Sequence, residues 1–332
     1  MKVSAFMRDA LFDESHGYYR TKNPLGKNSD FITAPEISQT FGESIALYLL
    51  EIFSGKKEKI SLVEMGAGRG VMMFDILSTI KNLAQKNNPQ ALDFLECASF
   101  HIIEINEVLE KIQREKLSEF NIKWHRDFAD FEKDAQKIFF ISNELFDCFP
   151  IDQFVLTEIG WRERIVKNKN FTLHAFEKKI HEFVENEIQT LAPIGAVFEY
   201  SLEAREFMAQ LSQALQNKGG IAINFDYGYF KHDFANTLQA LKNHEPVSVF
   251  EESCDITARV DFAALDKITK SYNLNSSLIT QREFLISLGI EERQKNLIHK
   301  NPQLIDEINS SIQRLIDPAQ MGELFKCHII WK

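Results

Sequence analysis

Short apolar runs alternate with helical patterns over the first 150 residues. The runs at 60–65, 100–105 and 137–142 read ISLVEM, FHIIEI and KIFFIS, and a weaker run lies in NIKWHRD at 121–127. Apolar runs of this length, rich in β-branched and aromatic residues, predict strands. The segments between them, such as 70–86, have the periodicity of amphipathic helices. Strands that alternate with helices predict a parallel sheet with helices on both faces.

The pattern changes after residue 150. Alternating apolar and polar residues over 152–176 predict antiparallel strands that turn at IGW and at NKN. Helical periodicity returns at 201–216 and stops at Gly219 and Gly220, because glycine commonly ends helices. The remaining predicted elements are strands at 221–228, 276–280 and in the closing LFKCHIIWK, and helices near 261–272, 281–287 and 302–316.

These elements predict an α/β fold built on a seven-stranded, Rossmann-like sheet with an antiparallel strand late in the chain at its edge. We expect an N-terminal helical and flap segment at 1–56 and a ligand-binding α/β core at 57–150. Inserted antiparallel strands at 151–200 then form a small α+β subdomain, and residues 201–332 complete the core with helical insertions.

Composition excludes several classes of protein. The net charge of -10 argues against a general nucleic-acid binder. Four cysteines without a CxxC pair predict neither a zinc site nor a disulfide framework. The chain has no apolar run near the roughly 18 residues of a membrane span, and its N-terminus lacks the features of a signal or transit peptide. We therefore expect a cytoplasmic protein without membrane insertion and without a metal site.

The sequence LVEMGAGRG carries the first candidate chemistry. Glu64 ends a strand, and Gly66, Gly68 and Gly70 allow a sharp turn and close approach of a ligand. A plain turn, a dinucleotide site and an S-adenosylmethionine site are the three alternatives. The dinucleotide pattern requires glycine where Val71 stands and an acid about 20 residues later. An acid before the glycines instead favours S-adenosylmethionine, because a carboxylate can orient its cationic methionine end but would repel a pyrophosphate.

Three further residues, at the ends of the second and third strands, are candidates for cofactor binding. Glu104 follows the second strand, where a carboxylate can accept hydrogen bonds from both ribose hydroxyls. The alternative is a solvated acid at the end of a strand. Asp127 and Phe128 follow the third strand and could bind the adenine amino group and stack on the ring. A surface acid beside a core phenylalanine is the alternative interpretation of this pair.

The fourth strand ends in ISNELFDCFP at 141–150, where Asn143, Glu144 and Asp147 bring an amide and two carboxylates to one turn. One interpretation is helix capping, with Asn143 as the N-cap and the acids in the first helical turn. The other is a functional site at the carboxyl end of the sheet, in which Glu144 and Asp147 lie one helical turn apart. Both interpretations can hold together.

Long motifs resemble one known family through nearly the whole chain. They include GYY at 17–19, DFITAPEISQTFGE at 30–43, LVEMGAGRG at 62–70, NELFDCFPIDQF at 143–154, WRER at 161–164, NFDYG at 224–228, TLQALKNH at 237–244, DITARVDFAAL at 255–265 and MGELFK at 321–326. The chain resembles the MidA-like S-adenosylmethionine-dependent methyltransferases, the family that includes a mitochondrial complex I assembly factor acting as a protein arginine methyltransferase. The resemblance implies a class I methyltransferase sheet and S-adenosylmethionine as cofactor.

The chain departs from the family pattern at three positions. Ala67 stands where the family has proline, which leaves the turn possible but more flexible. Arg259 stands where relatives commonly have histidine, so any role of that histidine is in doubt here. Arg282 stands where glycine is usual.

The resemblance implies methyl transfer to an arginine of a protein substrate, with a subunit of complex I (NADH:quinone oxidoreductase) as the family's best-known target. Glu144 and Asp147 would then grip the cationic guanidinium, and Asn143 would hydrogen-bond the cofactor or the substrate. Thr33 and Glu36 belong to the ITAPEIS segment at 32–38, which we expect to form a flap over the cofactor or the peptide. The alternative is that this segment only caps the N-terminus of the QTFGESIALYLL helix that follows it. Asp226 and Tyr227 line the arginine pocket or simply begin a turn.

Two other functions remain open at this point. One is a nicotinamide-dependent oxidoreductase that uses the glycine turn for a dinucleotide. The other is a non-catalytic assembly factor that binds S-adenosylmethionine only as part of its structure.

Overall fold

A large central sheet organises the molecule. The computed structural model describes residues 1–21, 32–53, 57–175, 192–232 and 234–332. In the described residues this sheet has eight strands, of which seven form one continuous path. These seven are β1 (Ile60–Met65), β2 (Ala98–Ile103), β3 (Ile122–His125), β4 (Lys137–Asn143), β9 (Gly220–Tyr229), β14 (Asn275–Thr280) and β15 (Phe325–Trp331). Their spatial order is β14-β15-β9-β4-β1-β2-β3, and the short β13 (Val260–Asp261) pairs with β9 beside this path.

Two small antiparallel sheets accompany the central one. Their strands are β5 (Asp152–Thr157), β6 (Gly160–Lys167), β7 (Asn170–His174) and β8 (Val197–Tyr200) in the first, and β10 (Gln239–Lys242), β11 (Glu245–Val247) and β12 (Asp255–Thr257) in the second. The antiparallel strands expected at 151–200 match the first sheet, although residues 176–191 of that range lie outside the described residues. The second sheet was not predicted. The proposed domain boundaries stay a prediction.

Helices cover the sheets and fill the connections. They are α1 (Val3–Phe12), α2 (Tyr18–Thr21), α3 (Ala34–Ile37), α4 (Gln39–Phe53), α5 (Val71–Gln85), α6 (Pro89–Cys97), α7 (Glu107–Lys116), α8 (Phe128–Asp134), α9 (Leu202–Lys218), α10 (Phe262–Ser271), α11 (Gln281–Ser287), α12 (Ile290–Lys300), α13 (Ile305–Ile316) and α14 (Met321–Leu324). The sequence predicted α11 at its observed bounds but missed α12. The part of the expected flap segment at 22–31 lies outside the described residues.

The strand directions confirm the predicted fold class and correct one detail. Strands β1 to β4 and β9 pair in parallel, whereas β15 runs antiparallel to both β9 and β14. The antiparallel strand is therefore second from the edge, and β14 forms the edge. Phe325 at the start of β15 pairs with Tyr227 near the carboxyl end of β9, so β15 begins at the end of the sheet where β9 finishes. The last helices bring the chain to that end of the sheet before β15 begins.

Adjacent residues on each central strand face two separate apolar layers. Leu62 and Phe139 pack in the layer that holds α4, α5 and α6, whereas Val63 and Phe140 pack in the layer that holds α9 and α10. Burial on both faces explains why these strands read as continuous apolar runs. Among the described residues, no helix is both long enough and apolar enough to cross a membrane.

Gly220 is a strict requirement of this sheet. It begins β9 with φ of +120°, and a Cβ atom there would lie 1.8 Å from the carbonyl oxygen of Ile138 on β4. We expect Gly220→Ala to lower the free energy of unfolding by about 3 kcal/mol or more, because backbone atoms cannot move aside in a paired strand. Chemical denaturation measures the change.

Gly160→Ala is the matched control. Gly160 also has positive φ, +96°, but an added Cβ would meet nothing within 4 Å. Only backbone strain remains, so we expect a loss of about 1 kcal/mol. Equal losses in the two variants would contradict the steric explanation.

Candidate active site

A cavity of about 290 Å³ opens at the carboxyl ends of β1, β2 and β4. Ligands of open α/β sheets bind at this edge. The wall is formed by Phe12, Tyr19, Thr33, Pro35, Glu36, Glu64, Met65, Gly66, Ala67, Gly68, Arg69, Val71, Met72, Ile103, Glu104, Ile105, Leu109, Asn143, Glu144, Leu145, Cys148, Phe149 and Glu203. The cavity thus joins the glycine turn, Glu104 and the turn after β4, which the sequence had placed in separate motifs.

The glycine turn takes the conformation that its composition predicted. Gly66, Gly68 and Gly70 have φ values of +71°, +53° and +74°. A Cβ at Gly66 would also lie 3.2 Å from Leu145 Cδ1, and one at Gly70 would lie 3.2 Å from Leu117 Cδ1. The positive φ values therefore favour glycine at all three positions, and a side chain at Gly66 or Gly70 would also press on a leucine side chain. Ala67 is accommodated within the turn and is buried.

Glu64 points an unpaired oxygen into a buried environment beside this turn. The side chain is 3% exposed, and its carboxylate accepts a hydrogen bond from the N–H of Met73 in the first turn of α5. Its Oε2 has no hydrogen-bond partner among the described residues. Burial raises the pKa of Glu64 to about 8, and the carboxylates of Glu104 and Asp75 add to the shift. A cationic ligand group would satisfy this oxygen and favour the charged form.

Glu104 is a buried, fully oriented carboxylate on the cavity wall. Its Oε1 accepts from the N–H of Asn106 at 2.8 Å, and its Oε2 accepts from Nε2 of Gln113 at 2.8 Å. Burial raises the pKa of Glu104, and these donors partly oppose the shift. Each carboxylate oxygen retains a second lone pair, so the group can still accept from a pair of ligand hydroxyls.

The structure contradicts the adenine-binding role expected for Phe128. Its ring is 3% exposed and packs among Phe131, Phe140 and Phe207 in the layer under α9. Asp127 is exposed and acts as the N-cap of α8, where its Oδ1 accepts from the N–H of Asp130 at 2.7 Å. Neither residue lines the cavity.

Ile105 and Leu109 supply the apolar wall next to Glu104 instead. In the sequence, the signal for this wall was Ile105, the apolar residue directly after Glu104.

No helix follows β4, so the helix-capping interpretation of Asn143 is wrong. Residues 144–149 form a turn in which Glu144 has φ of +52°, an uncommon conformation for a residue with a side chain. The spacing of one helical turn between Glu144 and Asp147 therefore does not describe their geometry. A buried interaction must hold the turn, because the local sequence does not favour it.

Asp226 provides that interaction and is not a wall residue of the cavity. It is 0% exposed, and its Oδ2 accepts from the N–H groups of Leu145 at 3.1 Å, Phe146 at 2.8 Å and Asp147 at 3.2 Å. Its Oδ1 accepts from the N–H of Tyr227 at 2.9 Å. The carboxylate is committed to four backbone donors. The structure thus contradicts direct substrate binding by Asp226 and assigns it the turn.

Asn143 and Glu144 face the cavity as a pair. Nδ2 of Asn143 donates to Oε1 of Glu144 at 3.0 Å, and Oδ1 of Asn143 has no partner among the described residues. The N–H of Ala34, in the ITAPEIS segment, also donates to the Glu144 carboxylate. Burial raises the pKa of Glu144 to about 7. The pair therefore offers an unsatisfied amide oxygen and a carboxylate that titrates near neutrality.

Asp147 lies behind this pair, in a group of buried acids. Burial raises the pKa of Asp147 well above its usual range, and the nearby Asp226, Asp255 and Glu144 raise it further. Because Asp226 receives four N–H groups, the negative charge of the Asp147–Asp226 pair rests on Asp226 and the proton on Asp147. In the part of the chain that the structure describes, Glu144, Asp147 and Asp226 form no ion pair.

Three residues near these acids, Tyr19, Cys148 and Asp255, are not among the site residues that the sequence predicts. The hydroxyl of Tyr19 donates to Oδ1 of Asp255 at 2.6 Å, and both Tyr19 and Cys148 line the cavity. The GYY and DITARVDF motifs contained Tyr19 and Asp255, but nothing in their spacing places them together.

The expected pocket residue Tyr227 does not line the cavity, and its hydroxyl accepts from Nε2 of Gln239 at 3.2 Å.

The ITAPEIS segment closes the cavity between its two ends. Thr33 and Glu36 line the wall, and Oε2 of Glu36 lies 3.5 Å from Nη1 of Arg69 in the glycine turn. The same segment reaches Glu144 through Ala34. It therefore contacts both the glycine turn and the turn after β4.

We expect Asp226→Asn to lower the free energy of unfolding by about 1–3 kcal/mol. The amide keeps one acceptor oxygen, but its NH₂ group must face a backbone N–H, so at least one buried donor loses its partner. Denaturant titration measures the loss. The exposed Asp306 is the matched control, and Asp306→Asn should change stability by less than about 0.5 kcal/mol. A stable Asp226→Asn protein would show that the turn does not depend on this carboxylate.

Comparison with known proteins identifies the family of this chain. Residues 44–280 match the family described as "Putative S-adenosyl-L-methionine-dependent methyltransferase". Curated relatives named protein arginine methyltransferase NDUFAF7, mitochondrial, are 30% identical in Danio rerio and 29% identical in Bos taurus. These alignments cover 98% and 97% of this chain and 82% and 78% of the relatives.

A solved structure shares the fold. A Burkholderia thailandensis protein bound to S-adenosyl-homocysteine superposes with a TM-score of 0.80 at 24% identity, covering 100% of this chain and 88% of that one. The matched region includes the glycine turn, Glu104 and the turn after β4, and the match extends over more than half of the chain. This chain belongs to the S-adenosylmethionine-dependent methyltransferase family.

Proposed function

We propose that this methyltransferase methylates an arginine side chain of a protein substrate. The observation that carries the proposal is the group of buried carboxylates at the turn after β4. Glu144 opens into the cavity and Asp147 lies behind it, with no ion-pair partner for either among the described residues. Buried carboxylates are costly unless a cation balances them. A guanidinium is always charged and can bridge two carboxylates through its planar set of donors.

The cofactor end of the cavity fits S-adenosylmethionine. Glu64 presents the unpaired Oε2 to a cationic group, the backbone of Gly66 and Gly68 allows close approach, and Glu104 accepts from the ribose hydroxyls. The bound cofactor supplies an electrophilic methyl group on its sulfonium sulfur. Because the methyl group is already activated, the protein has chiefly to orient the acceptor nitrogen and exclude water.

The acceptor end orients the guanidinium and takes up a proton. Glu144 grips its nitrogens at the cavity wall, and the unpaired Oδ1 of Asn143 accepts from another N–H. Asp147, which does not line the cavity, adds a second carboxyl group behind Glu144. Methylation of a guanidinium nitrogen releases one proton. Glu144, with its pKa raised to about 7, can accept that proton near neutral pH. Thr33 and Glu36 cover the site as the flap.

The relatives and the family membership bear on the other two functions. Curated relatives carry the name protein arginine methyltransferase, which supports arginine as the acceptor. Membership of a methyltransferase family does not favour a nicotinamide-dependent oxidoreductase. A non-catalytic assembly factor would bind S-adenosylmethionine without transferring the methyl group. A complex I subunit as the target and a cytoplasmic location remain predictions.

We expect Glu144→Gln and Asp147→Asn each to lower arginine methylation by about 100-fold or more, because each removes a carboxyl group that can pair with the cationic acceptor. S-adenosyl-homocysteine affinity should stay within about threefold of wild type. The assay combines labelled S-adenosylmethionine with complex I subunits and with a lysate lacking this protein, followed by amino-acid analysis of the labelled product. Glu206→Gln, at an exposed acid of α9, is the matched control.

Two outcomes would contradict the proposal. Label recovered in an amino acid other than arginine would exclude the acceptor. Tight cofactor binding by the wild-type protein, without methyl transfer to any protein, would favour the assembly-factor function.

We also expect Glu64 to make S-adenosylmethionine binding depend on pH. Without ligand its raised pKa of about 8 leaves the side chain mostly protonated at pH 6–7, whereas a cation binds the carboxylate form. The affinity of wild type relative to Glu64→Gln should therefore rise from pH 6 to pH 8 and level off above it. Calorimetry of both proteins cancels the ligand's own ionisation. A constant ratio across this range would exclude the role of Glu64.

A further inference from the structure

We propose that Gln113 is a positioning residue for the cofactor, which fixes the ribose-binding carboxylate of Glu104 relative to the glycine turn. The inference rests on the proposed cofactor role of Glu104 and not on the identity of the methyl acceptor. Gln113 lies on α7, outside every motif that the sequence singled out, and does not line the cavity.

The amide of Gln113 makes three hydrogen bonds that join three parts of the site. Its Nε2 donates to the carbonyl oxygen of Gly68 at 2.8 Å and to Oε2 of Glu104 at 2.8 Å. Its Oε1 accepts from the indole Nε1 of Trp124, on β3, at 3.0 Å. The side chain is 0% exposed. One buried amide therefore ties the glycine turn to the carboxylate that follows β2.

The partners leave one orientation for this amide. Gly68 offers only a carbonyl oxygen and Glu104 only carboxylate oxygens, so both require the NH₂ group. Trp124 offers only an N–H, so it requires the amide oxygen. A flipped amide would place its oxygen against two acceptors and its NH₂ group against a donor. Glutamine meets this demand with two donors and one acceptor at a single side-chain end.

Glu104 needs such a donor in order to act as an oriented anion. It is 6% exposed, and burial raises its pKa. The N–H of Asn106 orients one carboxylate oxygen, and Gln113 orients the other. Without Gln113 the carboxylate can rotate or take up a proton, and either change weakens its hydrogen bonds to hydroxyl donors.

Gln113 also lies next to Gly70 of the glycine turn. The position of a Cβ at Gly70 would lie 3.4 Å from Cγ and 3.7 Å from Cα of Gln113. The helix that carries Gln113 is anchored beside Glu104, because the N–H of its N-cap Asn106 donates to Oε1 of Glu104. A small displacement of Gln113 would thus reach both cofactor-binding segments together.

The test compares Gln113→Glu and Gln113→Met with wild type by calorimetry with S-adenosylmethionine and S-adenosyl-homocysteine. Both variants should weaken binding about 10- to 100-fold at pH 8. Gln113→Glu places a second carboxylate against Glu104, and at lower pH the two can share a proton and regain one hydrogen bond. The ratio of its dissociation constant to that of wild type should therefore fall from pH 8 to pH 6. The ratio for Gln113→Met should stay constant.

Trp124→Phe, which removes only the N–H donor to Gln113, should weaken binding less and should not add to the effect of Gln113→Met. Gln303→Glu, at an exposed residue away from the cavity wall, is the matched control. Cofactor dissociation constants within twofold of wild type for both Gln113 variants at pH 8 would overturn the proposal. A pH-independent ratio for Gln113→Glu would also overturn it, because a purely structural defect does not titrate with this carboxylate pair.

Discussion

The active site depends on one buried carboxylate that organises the backbone. Asp226 accepts hydrogen bonds from three consecutive N–H groups, those of Leu145, Phe146 and Asp147, and from that of Tyr227. These bonds hold the turn after β4 with Glu144 at positive φ, which directs the Glu144 side chain to the cavity. Free N–H groups in a tight turn form a natural anion site, and here the anion belongs to the protein itself. Asp226 was expected to contact the substrate. It instead holds in place the turn that carries Glu144 and Asp147, the residues proposed to bind the substrate.

The two ends of the cavity are charged for different cationic groups. At the cofactor end Glu64 stands against Glu104 and Asp75, and burial raises its pKa to about 8. At the acceptor end Glu144 has its pKa raised to about 7, and Asp147 and Asp255 lie nearby. Among the described residues, neither Glu64 nor Glu144 forms an ion pair. A buried carboxylate of this kind is stabilised most by a cation that it contacts directly. A cationic cofactor and a cationic acceptor both meet this need, which supports arginine over a neutral acceptor.

A single segment contacts both ends. Glu36 faces Arg69 in the glycine turn at 3.5 Å, and the N–H of Ala34 donates to Glu144. The interior of the segment is anchored, since Ala34 is 0% exposed and belongs to the main apolar core. A change at the glycine turn therefore has a direct physical route to the proposed acceptor site. This arrangement gives the unusual composition of ITAPEIS a structural reason.

The sequence by itself determined the sheet and the chemistry of the glycine turn, because burial on both faces produces apolar runs and positive φ favours glycine at Gly66, Gly68 and Gly70. It also placed Glu64, Glu104 and Glu144 at strand ends that share one edge. Only the tertiary structure decided that Asp226 supports a turn, that Phe128 packs in the core and that Gln113 joins Glu104 to Gly68. These roles depend on contacts between residues 9 to 81 positions apart, and residue type at a single position does not encode such contacts.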